Sequence, residues 1–234
     1  MFAKQSNIYR KYKFHQYSLD FFKLLKPFII DKKIASHHDL ACGSGEFVAK
    51  MFKEGVKTSG SDISPEMIAL AKQEYPKPLF TVEDMSLVVL ENRVDLITIN
   101  YFAINILNDW NKWKNLFANV HKSLNDNGYF IFDMASIGFI RAANITSFRK
   151  INNDYLGEEI ESSGEKCKFT LTWFQQQLNG KFIMNEESYN EISFPFEQVA
   201  AQLKTSGFKS ISFFNEINEN PDENLEGLRV VAQK

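Results

Sequence analysis

The sequence predicts an α/β fold, a doubly wound sheet of seven strands, and three observations carry that prediction. A short apolar strand at about 36 to 41 runs into a glycine turn, Ala41-Cys42-Gly43-Ser44-Gly45, and directly into a helix over 46 to 54. Strand and helix patterns then alternate at short spacing to about residue 133, which calls for parallel strands covered by helices. Two further strand patterns, at 208 to 215 and 227 to 233, supply an antiparallel ending. In such a sheet ligands sit beyond the carboxyl ends of the strands, so the residues that follow each strand are the functional candidates.

Composition sets the outer bounds. A chain of 234 residues with 44% apolar content buries a full core and fits one domain, 1 to 234, with elaborations. The formal charge of −2 and the lack of a basic stripe give a nucleic-acid partner no electrostatic footprint. Cys42 and Cys167 lie far apart, which suits a reducing compartment, and Cys42 reads as a small residue packed in the turn. The opening MFAKQSNIYRKYKF has no continuous apolar core and no run approaches membrane-spanning length, so a cytoplasmic protein without a membrane partner is expected. His37 and His38 precede the predicted strand with no third ligand at metal spacing; they read as surface or packing residues, and no metal site is expected.

Taken in order, residues 7 to 33 place aromatic and aliphatic side chains three and four apart, the pattern of an amphipathic helix, and residues 1 to 33 form a helical cover. Its early part, with Tyr9, Tyr12, His15 and Tyr17, carries the groups that a lid over a pocket would use. A second strand, 57 to 61, leads to Asp62, and Ser64-Pro65 forms a cap and first-turn pair for a helix over 65 to 74. Strands follow at 79 to 82 and 94 to 99, then a helix over 109 to 123, then Asp126-Asn127-Gly128 turning into a strand over 129 to 133. From 136 to 195 the pattern becomes antiparallel, with Asn179-Gly180 as a two-residue hairpin signal between KFTLTWFQQQL and KFIMNEESYNEISF. A helix closed by Gly207 leads into the last two strands.

The glycines allow close approach of a ligand to the backbone, and the following helix offers unpaired N–H groups. Asp62 stands at a strand tip beside this turn, where a carboxylate can accept both hydroxyls of a ribose. A dinucleotide fingerprint would need a third glycine, but Val48 occupies that position, so a nicotinamide-dependent oxidoreductase is the second reading.

The combination DLACGSGEF, SDISPEMIALAK, TVEDM, VDLITINYF and LNDNGYFIFDM resembles, in order and spacing, the class I S-adenosylmethionine-dependent methyltransferases over about residues 36 to 134 and the tail. The resemblance implies a Rossmann-like sheet, S-adenosylmethionine as cofactor and S-adenosylhomocysteine as product. It implies that Ala41, Cys42, Gly43, Ser44 and Gly45 lie against the methionine part of the cofactor, with Asp62 on the ribose and Ile63 and Met67 beside the adenine. Asp84 would accept from the adenine amino group while Met85 offers its backbone, with Glu83 as the rival if the loop is shifted by one. Asn100 and Tyr101 would stand where cofactor and acceptor meet, although NYFA lacks both prolines of the Asn-Pro-Pro-aromatic motif. Asn100 caps the loop in the alternative reading, and Asp133, at the same edge, either positions an acceptor or caps a strand.

The expected acceptor is a small molecule methylated on nitrogen or oxygen, held between Tyr9, Tyr12, Tyr17, Tyr101 and Trp173. Candidates for a catalytic group are Tyr12, His15, Tyr101 and Asp133. An early lid combined with a hairpin insertion is similar to small-molecule N-methyltransferases of the family. A non-catalytic protein that binds an adenosyl ligand is the third reading.

Overall fold

The structure, a computed structural model, describes residues 8–214 and 227–234. Strands β1 (Ser36–Leu40), β2 (Lys57–Asp62), β3 (Leu79–Val82), β4 (Val94–Ile99) and β5 (Leu124–Ala135) are parallel to one another. The sheet is completed by β10 (Ser210–Phe214) and β11 (Gly227–Gln233), and its order is β10-β11-β5-β4-β1-β2-β3. The final strand, β11, runs antiparallel to both of its neighbours. This is the doubly wound arrangement expected from the sequence. The expected strand over 208 to 215 is β10; residue 215 lies outside the described residues.

Each face of the sheet is covered by helices whose apolar residues recur at helical spacing. On one side α1 (Gln16–Asp31) and α2 (Glu46–Lys53) place Phe21, Phe22, Leu25, Ile29, Phe47 and Met51 against Leu96 and Ile131. On the other, α4 (Trp110–Ser123) and α6 (Phe196–Thr205) place Trp113, Leu116, Phe117, Val199 and Leu203 against Ile97, Phe130, Phe132 and Val230. The helix α3 (Pro65–Glu74) starts as its sequence requires: the Ser64 side chain accepts from the Met67 N–H, and Pro65 needs no partner at the first helical position.

A second sheet is built from β6 (Asn144–Ile151), β7 (Asp154–Ser163), β8 (Lys166–Gln176) and β9 (Phe182–Ile192), antiparallel throughout and reached from β5 through the short helix α5 (Ile137–Ala142). Side chains alternate between its faces. In register, Ile145, Ile160, Phe169 and Tyr189 fall on one face, and Ser147, Glu158 and Leu171 line up beside them.

Four expectations are corrected. The helix expected over 7 to 33 begins only at Gln16; residues 8–15 form turns, Lys13 has φ 65°, and residue 7, like the rest of 1 to 7 in the expected cover, lies outside the described residues. The aromatic residues of this stretch serve two different surfaces, which one helical stripe could not do. The strand expected at 129 to 133 starts earlier, at Leu124. The Asn179-Gly180 turn holds three residues, not two: Gly180 donates to the Gln177 carbonyl at 2.9 Å, Gln177 donates to the Lys181 carbonyl at 2.7 Å, and Gly180 takes φ 78°. His37 and His38 lie within β1 and are 1% and 3% exposed, so neither is a surface residue.

Each histidine bonds two hydroxyls, those of His37 on β2 and β4 and those of His38 both on β2. His37 contacts Thr58 and Thr98, both at 2.8 Å, and His38 contacts Ser59 at 2.8 Å and Ser61 at 3.0 Å. Burial pushes the His37 imidazole well below its usual range and that of His38 down to about 4. A group depressed on folding contributes stability above its unfolded value near 6.5 and loses it as the pH falls through the folded value. Between pH 6.5 and 4, the stability advantage of the wild type over His38→Gln should therefore shrink by up to about 1.4 kcal/mol per pH unit, measured by urea unfolding. An advantage independent of pH would show that His38 carries its proton in the folded state.

Candidate active site

A cavity of about 620 Å³ opens at the carboxyl ends of the parallel strands. It is lined by Ala41, Cys42 and Gly43 after β1, by Asp62, Ile63 and Met67 after β2, and by Glu83, Asp84 and Met85 after β3. Asn100, Tyr101 and Phe102, after β4, complete this half.

The glycines of the turn divide their work. Gly43, at φ 54°, faces the cavity, where a Cβ would approach the Tyr9 hydroxyl at 3.7 Å. Gly45, at φ 83°, faces away from it, where a Cβ would meet the Phe80 ring at 2.7 Å and Ala71 at 3.1 Å. Gly45 thus holds the turn against α3 and β3 while Gly43 leaves room for a ligand. Ser44 is buried and donates to Glu46 at 2.7 Å, so it organises the turn from behind.

Carboxylates fix the loops. Asp62 accepts from the Gly43 N–H and the Ser64 N–H, both at 2.9 Å, which ties the glycine turn to the tip of β2 and leaves its remaining lone pairs to the cavity. One oxygen of Asp84 accepts from the N–H and hydroxyl of Ser86, at 2.9 and 2.7 Å. Asp133 accepts from the backbone N–H groups of Tyr101 and Phe102 at 3.0 and 2.7 Å. These two residues have φ 61° and 54°, a left-handed conformation unfavourable for aromatic side chains, and the buried carboxylate holds them in it.

Asp39, which sequence analysis did not single out, lies beneath the same tips, fully buried. It accepts from the Thr98 hydroxyl at 2.5 Å and more distantly from the Asn100 side chain, which itself accepts from Ser18 at 2.9 Å. Burial pushes the Asp39 and Asp133 carboxyls up to about 7, with Asp62 and Asp133 adding to the rise at Asp39, and Asp62 is raised as well.

The N-terminal segment closes the cavity as a strap. Tyr9, Phe14, Tyr17 and Ser18 line it, and Tyr17 stacks on Tyr101 with ring centres 4.6 Å apart. Arg10 pins the strap to the parallel-sheet side, donating to Glu46 at 3.1 Å, Glu74 at 2.9 Å and the Tyr75 hydroxyl at 2.9 Å. Tyr12 and Lys11 pin it to the second sheet through Asp154.

Of the candidates from sequence, Tyr9, Tyr17, Ala41, Cys42, Gly43, Asp62, Ile63, Met67, Asp84, Met85, Asn100 and Tyr101 line this one cavity. Tyr12 and Trp173 do not; they pack with Ile8, Leu156 and Leu171 under the second sheet. His15 sits at the start of α1, and Asp133 lies beneath the loop that it holds, both outside the lining. Sequence analysis missed the wall supplied by the second sheet: Ile145, Glu158, Ile160, Phe169, Tyr189 and Glu191. The signal was the alternation itself, since residues two apart along β7, β8 and β9 share a face.

Among the described residues no group of histidines, cysteines and carboxylates could hold a metal, and no helix is long and apolar enough to cross a membrane. The left-handed Gly43, the acceptor capacity of Asp62 and Asp84, and the negative potential of the strand tips fit an adenosyl ligand that bears positive charge.

Residues 38–132 match the methyltransferase domain family Methyltransf_11. A chain of Geobacillus sp. (strain WCH70) is 26% identical over 213 residues, covering 84% of this chain and 83% of its own; its name gives a methyltransferase and no substrate. The fold is shared with an S-adenosylmethionine-dependent methyltransferase from Clostridium acetobutylicum ATCC 824, with TM-score 0.82 and 20% identity over 99% of this chain and 98% of that one. It is shared too with CalS10, an amino pentose methyltransferase from Micromonospora echinaspora, with TM-score 0.75 and 17% identity over 94% and 91%. With the family match laid over the glycine turn and the strand-tip loops, residues 38–132 form a methyltransferase domain, and the chain shares the fold of S-adenosylmethionine-dependent methyltransferases.

Proposed function

We propose that this enzyme methylates a nitrogen or oxygen of a small molecule inside the cavity between the strand tips and the second sheet. The observation that carries this reading is that one enclosure of about 620 Å³ is lined both by the glycine turn and by the inward face of the second sheet. Donor and acceptor would share that space, and among the described residues the strap is bonded to both sides of it. The sugar N-methyltransferases among the proteins that share the fold support a small acceptor.

In this reading Ala41 to Gly45 cradle the methionine part of the donor, and Asp62 accepts from the ribose hydroxyls. Ile63 and Met67 pack on the adenine, and Asp84 with Met85 recognises its edge. The donor's sulfonium supplies an electrophilic methyl group. The protein's task is then to hold a nucleophile in line with that methyl at near-attack distance and to exclude water. Tyr17, Tyr101 and Phe102 form the aromatic wall at this point, fixed by Asp133 and by stacking.

The carboxylates also separate this reading from a nicotinamide enzyme. A pyrophosphate would bring negative charge beside Asp62 and above Asp39, whereas a sulfonium and an ammonium lower the cost of burying them. Titration calorimetry should show S-adenosylhomocysteine binding, weakened in Asp62→Ala by roughly 1 to 3 kcal/mol for the loss of a charged hydrogen-bond partner. Binding of NADH with neither adenosyl ligand bound would overturn the assignment of the cofactor site.

The acceptor class is tested by a methyl-transfer screen over small amines, hydroxy acids, sugars and proteins, read by S-adenosylhomocysteine formation. Turnover is expected on a small molecule and should be lost when residues 1 to 17 are removed. Methylation of proteins alone, or unchanged turnover after the truncation, would contradict the enclosed pocket.

A further inference from the structure

The acceptor half of the cavity has a pronounced chemical character. The wall that the second sheet gives it is apolar and aromatic except for Ser147 on β6 and two carboxylates, Glu158 on β7 and Glu191 on β9. Glu158 is already neutralised: Arg149 donates to it at 2.9 Å and Ser147 at 3.2 Å. Glu191 differs. Among the described residues its carboxylate makes no hydrogen bond or ion pair, although it is largely shielded from solvent and lies on the lining of the cavity.

A shielded carboxylate without a partner is unfavourable unless something completes it. The groups that face Glu191 do not: Tyr101 from the loop after β4, Tyr189 on its own strand and Cys167 on β8 have burial-raised hydroxyls and thiol, which stay neutral, and Glu158 is itself an acid, paired with Arg149. The missing partner is a cation. The same chamber is lined by the rings of Tyr17, Tyr101, Phe169 and Tyr189, and aromatic faces attract a desolvated ammonium.

We infer that the acceptor is a small amine that enters as its ammonium ion, pairs with Glu191, and gives that carboxylate a proton before methyl transfer. This rests on the small-molecule reading above and narrows it to nitrogen. The step is balanced as follows. Glu191 takes one N–H proton, leaving a lone pair on the neutral amine nitrogen. That pair forms the new N–C bond to the methyl group while the C–S bond breaks, and its electrons stay on sulfur. The methylated product carries the positive charge, and Glu191 releases its proton to solvent.

Burial holds the Glu191 carboxyl up at about 7, which is suited to a base that exchanges protons near neutrality. Its base form dominates above that value, so kcat/KM for an amine should rise with pH through about 7 and fall again where the free amine loses its ammonium proton.

The test uses the full chain and probes in matched pairs, a small primary amine against the alcohol of the same skeleton, such as glucosamine against glucose and benzylamine against benzyl alcohol. Amines should be methylated in preference to their alcohols. Glu191→Gln should lose roughly 100-fold or more in kcat/KM, the usual scale for a general base. The variant should also lose the rise with pH and bind the best amine more weakly in its complex with S-adenosylhomocysteine, as read by calorimetry. Unchanged affinity for S-adenosylhomocysteine itself certifies its fold, and Glu191→Asp should restore part of the rate. Methylation of the alcohols instead, or a Glu191→Gln enzyme with an unaltered rate and pH profile on amines, overturns this inference while the small-molecule reading stands. Methylation of a protein and of none of the probes overturns both.

Discussion

Three buried carboxylates, Asp39 on β1, Asp62 on β2 and Asp133 on β5, lie toward the carboxyl ends of their strands, and the geometry of the site depends on them. A parallel sheet ends in loops whose backbone N–H groups have lost their ladder partners. Here Asp62 satisfies Gly43 and Ser64, Asp133 satisfies Tyr101 and Phe102, and Asp39 is held by Thr98. The glycine turn and the left-handed aromatic loop keep their shapes because acids are bonded under them. The same acids make the tips electrically unfavourable when empty, since burial raises Asp39 and Asp133 to about 7 and repulsion from Asp62 and Asp133 adds to the rise at Asp39. In the function proposed above, a cationic donor would relieve that repulsion, and one set of residues would both shape the site and select its ligand.

The strap joins the two sheets around this centre. Arg10 reaches Glu46 and Glu74 on helices of the parallel sheet, while Tyr12 and Lys11 reach Asp154 on the second. Tyr9, just before these anchors, lies over Gly43, and Tyr17, after them, stacks on Tyr101. Three consecutive residues thus tie the segment to both sheets, with cavity-lining aromatic rings on either side of them. Glu191 and the aromatic face of the second sheet supply the far wall, which gives the acceptor half a chemistry distinct from that of the donor half.

Much of this was legible in the sequence, for reasons that differ by residue. Asp62, Asp84, Asn100 and Tyr101 follow strands, and the rule that ligands sit at the carboxyl ends of parallel strands placed them around one cavity. The second sheet was legible as alternation, but not the face it would turn toward the strand tips, since that depends on the path of α5 and the docking of the strap. Glu158, Tyr189 and Glu191 were missed on that account, and Trp173, on the inward face, lies one step past the cavity in a packed cluster. His37 and His38 were read as preceding β1 because two adjacent imidazoles do not resemble a buried strand. Threonine and serine hydroxyls on β2 and β4 make their burial possible, and those partners are far away in sequence.

The central claim is that an adenosyl ligand sits on the carboxylate-held strand tips and that the strap closes over it. Hydrogen exchange measured by mass spectrometry, with and without S-adenosylhomocysteine, tests this most directly, because exchange reports local opening. Protection should appear together in residues 41–45, 62–67 and 83–86 and in the strap at 8–14, while the outer strand β6 remains unchanged. Protection confined to other parts of the chain, or none at saturating ligand, would contradict the account.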